Sequence, residues 1–372
     1  MLELGDIFRR YGPEYLEKFS HKMLPSHIRA IHDIANCRTG EFGGHIDVCE
    51  KCGYTHMFFH SCCNRSCPKC HASHTQTWLE KRIPTLLPVP YFHVIFTLPN
   101  ELRSIVRSNQ TPLFNCLFKA AASALSKLMA DSSFAGGMPG MLAVLHTWTR
   151  PMGYHPHVHF SLPASVISKD KLEWIPIKRK KFLVPKSMLS DIFRARFIKL
   201  ARKALPTITF PQSVWKKQWV VHLKPFKKGG QKVLEYLARY IHRIAITNNR
   251  ILADDNGQIT FKYQNSTTNQ WKKMTLPALE FMRRFLQHVL PKGFHKVRYY
   301  GFLTPKYKKT FYSLKLILKT SNRKVIDKLE GSDTGNYFRR CPKCKLGIMR
   351  VEVHIFYRKT ILLFARPPPC KK

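Results

Sequence analysis

Acidic residues are scarce. The 372-residue chain carries 22 Asp and Glu against 63 Lys and Arg, a formal net charge of +41. Self-repulsion at such an excess opposes a compact state, so a standing polyanionic partner is expected and an ordinary metabolic enzyme is disfavoured. Long apolar runs are missing. No stretch approaches the roughly 18 residues of a membrane-spanning helix, so no membrane partner is expected. The N-terminal residues mix charged and apolar types and lack the apolar centre of a secretory signal. Neither a GxGxxG fingerprint nor a phosphate-binding P-loop occurs, and strands and helices do not alternate regularly. That disfavours a doubly wound nucleotide-binding fold and favours an α+β class. No internal repeat is visible.

What is present supports a folded core. Hydrophobic residues make up 44% and aromatics 12% of the chain, too many for a disordered basic tail. There are 11 cysteines. Without an export signal they point to metal ligation or thiols rather than to disulfides. Cys49 and Cys52 form one CxxC pair and Cys67 and Cys70 another, 14 residues on. Each pair can present two thiolates from a tight knuckle, and four complete a tetrahedral zinc shell. A full shell does not turn over substrate, so this block reads as a structural recognition module. Cys37, His45, His60, Cys62, Cys63, His71 and His74 are left over; they could form a second set, for instance Cys37, His45, His60 and Cys62, and each reads equally as a packed or exposed side chain. Cys341 and Cys344 are half a ribbon, either completed by distant residues or simply two exposed thiols.

Periodicity predicts short helices over 1–36 broken at Pro13 and Pro25, and further helices over 72–83, 101–130, 188–204 and 231–243. Strands are predicted over 91–98, 141–149, 155–162 and 214–223, and a hairpin over 251–263 at Asp254-Asp255-Asn256-Gly257. Residues 171–232 hold 17 Lys and Arg against two acids, and 291–328 hold 11 against one.

Two stretches carry chemistry. On a strand, His155, His157 and His159 share one face while Val158 and Phe160 turn to the core. Imidazoles two residues apart can chelate a divalent ion and leave room for a phosphate oxygen. An exposed or hydrogen-bonded histidine face is the alternative, and His93 and His146 read equally well as core histidines. On the helix over 231–243, Tyr236 and Tyr240 stack at i, i+4 beside an apolar stripe, with Arg239 and Arg243 just beyond. A phosphodiester there would meet two phenols and two guanidiniums. Taken alone, the tyrosine pair reads equally as core packing.

Together these pieces resemble a known family. FTLP at 96–99, HVH at 157–159 and YLARY at 236–240 follow the order of the three motifs of HUH single-strand endonucleases. CRTGEFGGH at 37–45, SCCNRSCPKC at 61–70, LPVPYFHVIFTLP at 87–99 and LHTWTR…YHPHVH within 145–159 are similar to the two-tyrosine, rolling-circle HUH transposases of the insertion-sequence-91 type. YLARYIHRIAITNNRI at 236–251 and RRFLQHVLPKGFHKVRYYGFL at 283–303 extend the likeness. The resemblance implies an antiparallel-sheet HUH endonuclease domain with an N-terminal zinc-binding domain. It implies structural Zn²⁺ on Cys49, Cys52, Cys67 and Cys70, and catalytic Mg²⁺ or Mn²⁺ on His157 and His159. His155, His93 and Glu235 are candidates for a third ligand. Tyr236 and Tyr240 become nucleophiles that form 5′-phosphotyrosine links and release a 3′-OH. The implied partner is DNA, single-stranded at the cleavage site and element ends. The implied location is the bacterial cytoplasm, on the nucleoid.

The expected segments are an N-terminal helical piece (1–36), a zinc-binding domain (37–85) and an HUH catalytic domain (86–265). A basic DNA-binding region (266–330) and a C-terminal CxxC tail (331–372) follow. Two other functions compete: a non-catalytic zinc DNA-binding regulator and an HUH-type plasmid replication initiator. Carboxylate-triad chemistry is disfavoured, because Asp254 and Asp255 sit in a turn and Asp131, Asp170, Asp191 and Asp327 in polar or basic surroundings.

Overall fold

The structure is a computed structural model. It describes residues 2–168, 170, 173–177, 183–226, 232, 234, 235, 238, 241, 245–321 and 339–355. The strands are β1 (Gly44–Cys49), β2 (Thr55–Phe59), β3 (Tyr91–Thr97), β4 (Met138–Trp148), β5 (Tyr154–Pro163), β6 (Ser165–Ile167), β7 (Trp174–Pro176), β8 (Val221–Phe226), β9 (Ile251–Asp255), β10 (Gln258–Gln264), β11 (Trp271–Pro277), β12 (Val297–Gly301) and β13 (Met349–Ile355). The described helices are α1 (Leu4–Phe19), α2 (Pro25–Ala35), α3 (His71–Arg82), α4 (Arg103–Ser108), α5 (Gln110–Met129), α6 (Lys186–Ala204), α7 (Ser213–Lys216), α8 (Ala278–Leu286) and α9 (Lys308–Ser321). This is a mixed helix and antiparallel-sheet fold, as the α+β reading expects. No described helix is long and apolar enough to cross a membrane.

The chain divides into two compact units. The first gathers residues 1–74, 246–289 and 329–372; the second holds 75–245 and 290–328. The first unit thus joins segments that the sequence reading kept apart, including the hairpin expected inside the 86–265 domain and the CxxC expected in a tail. Side chains on α1 account for the hairpin. Tyr11 donates to Asp254 at 2.8 Å, Arg10 pairs with the same carboxylate at 2.6 Å, and Phe8 meets Phe285 of α8 edge-on at 5.5 Å. The predicted turn is present, with Asn256 and Gly257 both at positive φ, as a two-residue hairpin turn requires. Pro13 does not break α1, which runs through it with Leu4, Ile7, Phe8 and Tyr15 buried. Burial of that face outweighs the lost backbone bond. Pro25 opens α2 at its first position, where proline is tolerated.

In the second unit one antiparallel sheet has the order β7-β6-β4-β5-β3-β8, and β12 also pairs with β4. Its two faces follow from strand alternation. Phe92, Val94, Phe96, Met141, Ala143, Leu145, Val158 and Phe160 turn to one side and share a core with α5 and α6. Tyr91, His93, Leu142, His146, His157 and His159 take the other. The strand predicted over 214–223 is instead a helical turn, α7, followed by β8. Trp219 explains the difference. Its indole donates to the Val214 carbonyl at 3.0 Å, and its ring packs edge-on against Phe193 and at a tilt on Phe197. Two core anchors therefore flank a turn, and their spacing imitates strand alternation.

Candidate metal centres and histidine face

Three histidines converge on the sheet face away from α5 and α6. His146 on β4 lies directly opposite His157 on β5, and His159 is two residues along the same strand. One ring nitrogen from each lies within 4.8 Å of the others. Ring centroids are 4.1 Å apart for His146 and His159 and 4.9 Å for His157 and His159. His157 donates from Nδ1 to the His155 carbonyl at 2.6 Å, which turns its Nε2 to the shared point. The Nδ1 of His159 meets Nε2 of His93 at 2.8 Å. A His159 that ligates through Nε2 carries its proton on Nδ1 and donates it to His93.

Burial keeps these rings neutral. It pushes His157 down to about 4, and pushes His146 and His159 well below the ordinary histidine value, with the neighbouring imidazoles adding to the effect. Neutral imidazoles with convergent lone pairs are what a divalent ion requires, so the set fits a metal. Three protein nitrogens leave further positions in the shell open.

The residue grouped with His157 and His159 is His146, which is not among the three candidates for a third ligand. His155 faces Arg103, whose guanidinium lies 2.6 Å from its Nδ1. Glu235 pairs with Lys232 at 3.0 Å. His93 stands behind His159 as its hydrogen-bond partner. An outer partner of this kind orients a ligand and raises its basicity, and its loss weakens metal affinity by roughly 10- to 100-fold. His93→Ala is therefore expected to shift the Mn²⁺ binding midpoint upward by that factor in calorimetry. An unchanged midpoint would remove His93 from the site.

Tyr236, Tyr240, Arg239 and Arg243 lie outside the described residues. Their described neighbours Lys232, Leu234, Glu235, Ala238 and Ile241 are helical, and Leu234, Ala238 and Ile241 are buried. Leu234 packs with Tyr91 and Leu142, residues that share the histidine face of the sheet.

The cysteines form two sets of four in the first unit. Cys37, Cys62, Cys67 and Cys70 are one; Cys49, Cys52, Cys341 and Cys344 are the other. The expected single site of Cys49, Cys52, Cys67 and Cys70 is not formed. The hairpin separates those pairs. Cys49 and Cys52 sit at its tip, while Cys37 and Cys62 to Cys70 lie beyond its base, where Gly44 pairs with Phe59. Four strand steps put about 13 Å between tip and base. Cys37 and Cys62 do come together, but without His45 and His60. His45 instead meets His60 at 3.3 Å and Asp47 at 3.4 Å, and stacks on Phe58.

In the first set, Cys70 Sγ is 3.7 Å from both Cys37 and Cys62. Tetrahedral zinc with 2.3 Å bonds places its sulfurs about 3.8 Å apart. The thiols of Cys37, Cys62 and Cys67 donate toward Cys70 and draw it well below the ordinary thiol value, while the same contacts push Cys62 and Cys67 up. This set suits a structural zinc. Backbone N–H groups of Gly347 and Leu346 likewise draw Cys344, in the second set, down to about 6.

An antiparallel sheet with three converging histidines on one face, in a chain that also folds a four-cysteine module, describes a protein with a zinc-binding module and a separate histidine cluster that could hold an ion. Comparisons with known proteins give the family. Residues 7–98 match the family described as Transposase zinc-binding domain, and 140–310 match the one described as Putative transposase. Cys37, Cys62, Cys67 and Cys70 all fall in the first match and His146, His157 and His159 in the second. The chain is 35% identical to Putative transposase y4qJ of Sinorhizobium fredii, over 99% of this chain and 98% of that protein. It is 27% identical to Transposase for insertion sequence element IS801 of Pseudomonas savastanoi pv. phaseolicola, over 74% of this chain and 70% of that one. The chain belongs to the IS91-type transposases, and its substrate is DNA.

Proposed function

We propose that this transposase cuts and rejoins single-stranded DNA through 5′-phosphotyrosine intermediates, with Tyr236 and Tyr240 as nucleophiles. The observation that carries the reading is the His146, His157 and His159 set converging on the sheet face away from α5 and α6. Leu234, two residues before the first tyrosine, packs on that same face, which supports approach of the helix to the histidines. The three imidazoles would hold Mg²⁺ or Mn²⁺. When bound, such an ion supplies charge stabilisation to a phosphate oxygen at the reacting centre.

The chain's own groups do the rest. A tyrosine oxygen forms a bond to phosphorus, the bond from phosphorus to the 3′ oxygen breaks, and that oxygen leaves as a 3′-OH. Phenol titrates near 10 and is a weak nucleophile at neutral pH, so it depends on a polarised phosphate. Arg239 and Arg243 would contact the phosphates on either side. Two tyrosines suit two strands cut and joined in turn, as rolling-circle transposition demands. Basic segments with interleaved aromatics, such as Lys306-Tyr307-Lys308-Lys309, suit single strands by stacking and phosphate contact. A protein so engaged would be found on the nucleoid. The histidine set disfavours a non-catalytic regulator, and both relatives are transposases by name, which disfavours a plasmid initiator.

An oligonucleotide bearing the element end, incubated with the protein and Mg²⁺, is expected to give an adduct that survives denaturing electrophoresis. A chelator, or His157→Ala, should abolish it. An adduct of equal yield in both would contradict the proposal.

A further inference from the structure

The second cysteine set has partners from opposite ends of the sequence. Cys52 lies 3.7 Å from Cys341, 289 positions away, and Cys49 lies 3.7 Å from Cys344, 295 away. Only Cys49 and Cys52 fall within the residues that match the zinc-binding family. Both distances equal the sulfur spacing in the first set. They are nearly twice the roughly 2.05 Å of a disulfide.

The backbone around the four thiols is built twice to one plan. After Cys52, Gly53 takes a left-handed φ of 65° and donates to the Cys49 carbonyl at 3.0 Å. After Cys344, Lys345 takes a φ of 58° and donates to the Cys341 carbonyl at 2.9 Å. Each pair is therefore a tight knuckle aimed at a common point. Lysine is an unusual residue for that conformation, so the second knuckle holds its shape against local preference. Antiparallel pairing sets one knuckle against the other. In the sheet β13-β1-β2, Cys49 is opposite Met349, and the Glu50 N–H donates to the Ile348 carbonyl at 3.1 Å. Gly347 passes so close to Cys49 that an added Cβ would run into its Sγ. Cys49 and Cys341 are buried, at 2% and 1% exposure. Four thiolates around one Zn²⁺ leave two negative charges, and Lys51, Lys343 and Lys345 on the knuckles offset them.

We propose that Cys49, Cys52, Cys341 and Cys344 bind a second structural zinc, which latches the C-terminal strand β13 onto the N-terminal hairpin. Zinc is the ion that all-thiolate tetrahedral sets of this size select, with iron as the competitor. The site closes a discontinuous ribbon from two segments that a single ion holds together. Its consequence is that one edge of the N-terminal hairpin is held by residues far along the chain.

Purified full-length protein should contain two zinc per chain by atomic spectroscopy. Cys341→Ser/Cys344→Ser should contain one. Thiol mapping on the wild type is independent of how the variant folds. Cys52 is exposed to solvent, so as a thiol it would alkylate quickly with iodoacetamide. Bound to zinc, Cys52 and Cys344 should be protected and then react together when a chelator removes the ion. One zinc in the wild type, iron in place of the second zinc, or rapid alkylation of Cys52 and Cys344 with two zinc retained would each overturn the proposal.

Discussion

His146→Ala is expected to abolish metal-dependent DNA cleavage while leaving the protein folded. One ring nitrogen of His146 lies within 4.8 Å of one from each of His157 and His159, and His146 faces His157 across the central strand pair. Losing a ligand costs more than losing an outer partner, so cleavage should fall by more than about 100-fold. The loss should appear mainly as weaker metal binding, with Mn²⁺ affinity and adduct yield falling together. His155→Ala sets the contrast. His155 engages Arg103 rather than the set, so that variant should keep most of its metal affinity. Equal losses in the two variants would mean that the three-histidine grouping is not the metal site.

The second large effect belongs to the first cysteine set. Cys67→Ser/Cys70→Ser removes two of four ligands from a site that lies between α2 and β1 on one side and the residues after β2 on the other. Structural zinc contributes roughly 10 kcal/mol or more to the folding of small modules, comparable with the whole stability of a domain. The variant should therefore lose one zinc, and its N-terminal residues should be cut rapidly by protease between 37 and 70. Retention of both zincs, with an unchanged protease pattern, would contradict the assignment. This result is distinct from that of Cys341→Ser/Cys344→Ser, which should loosen β13 and spare the first site.

Local signals in the sequence carried much of this. The β3 and β5 alternation placed His157 and His159 on one face and the phenylalanines on the other. The Asn256-Gly257 turn read correctly because both residues tolerate positive φ. What escaped depended on pairing over distance. His146 is hidden by a bulge. Pairing carried straight from Trp148 opposite Tyr154 would set His157 against Leu145 and turn His146 to the core. The register shift between His146 and Trp148 moves His146 opposite His157 instead, and an extra residue in a strand leaves no clear mark in composition. A short loop between two histidine-bearing strands was the one available hint. The cysteines escaped for a related reason. Fourteen residues between CxxC pairs fit one ribbon, yet the intervening strand β2 holds those pairs apart, and each finds its partners elsewhere in the chain. Spacing identifies a knuckle; only the fold identifies what closes it.

We propose that Tyr236 and Tyr240 attack DNA held at the histidine set. The most direct measurement is to trap the adduct with a single-stranded oligonucleotide, digest the protein and locate the modified residue by mass spectrometry. The expected product is a nucleotide joined through its 5′ phosphate to Tyr236 or Tyr240, lost in Tyr236→Phe/Tyr240→Phe. A link to any other residue, or an undiminished adduct in the double variant, would contradict the proposal.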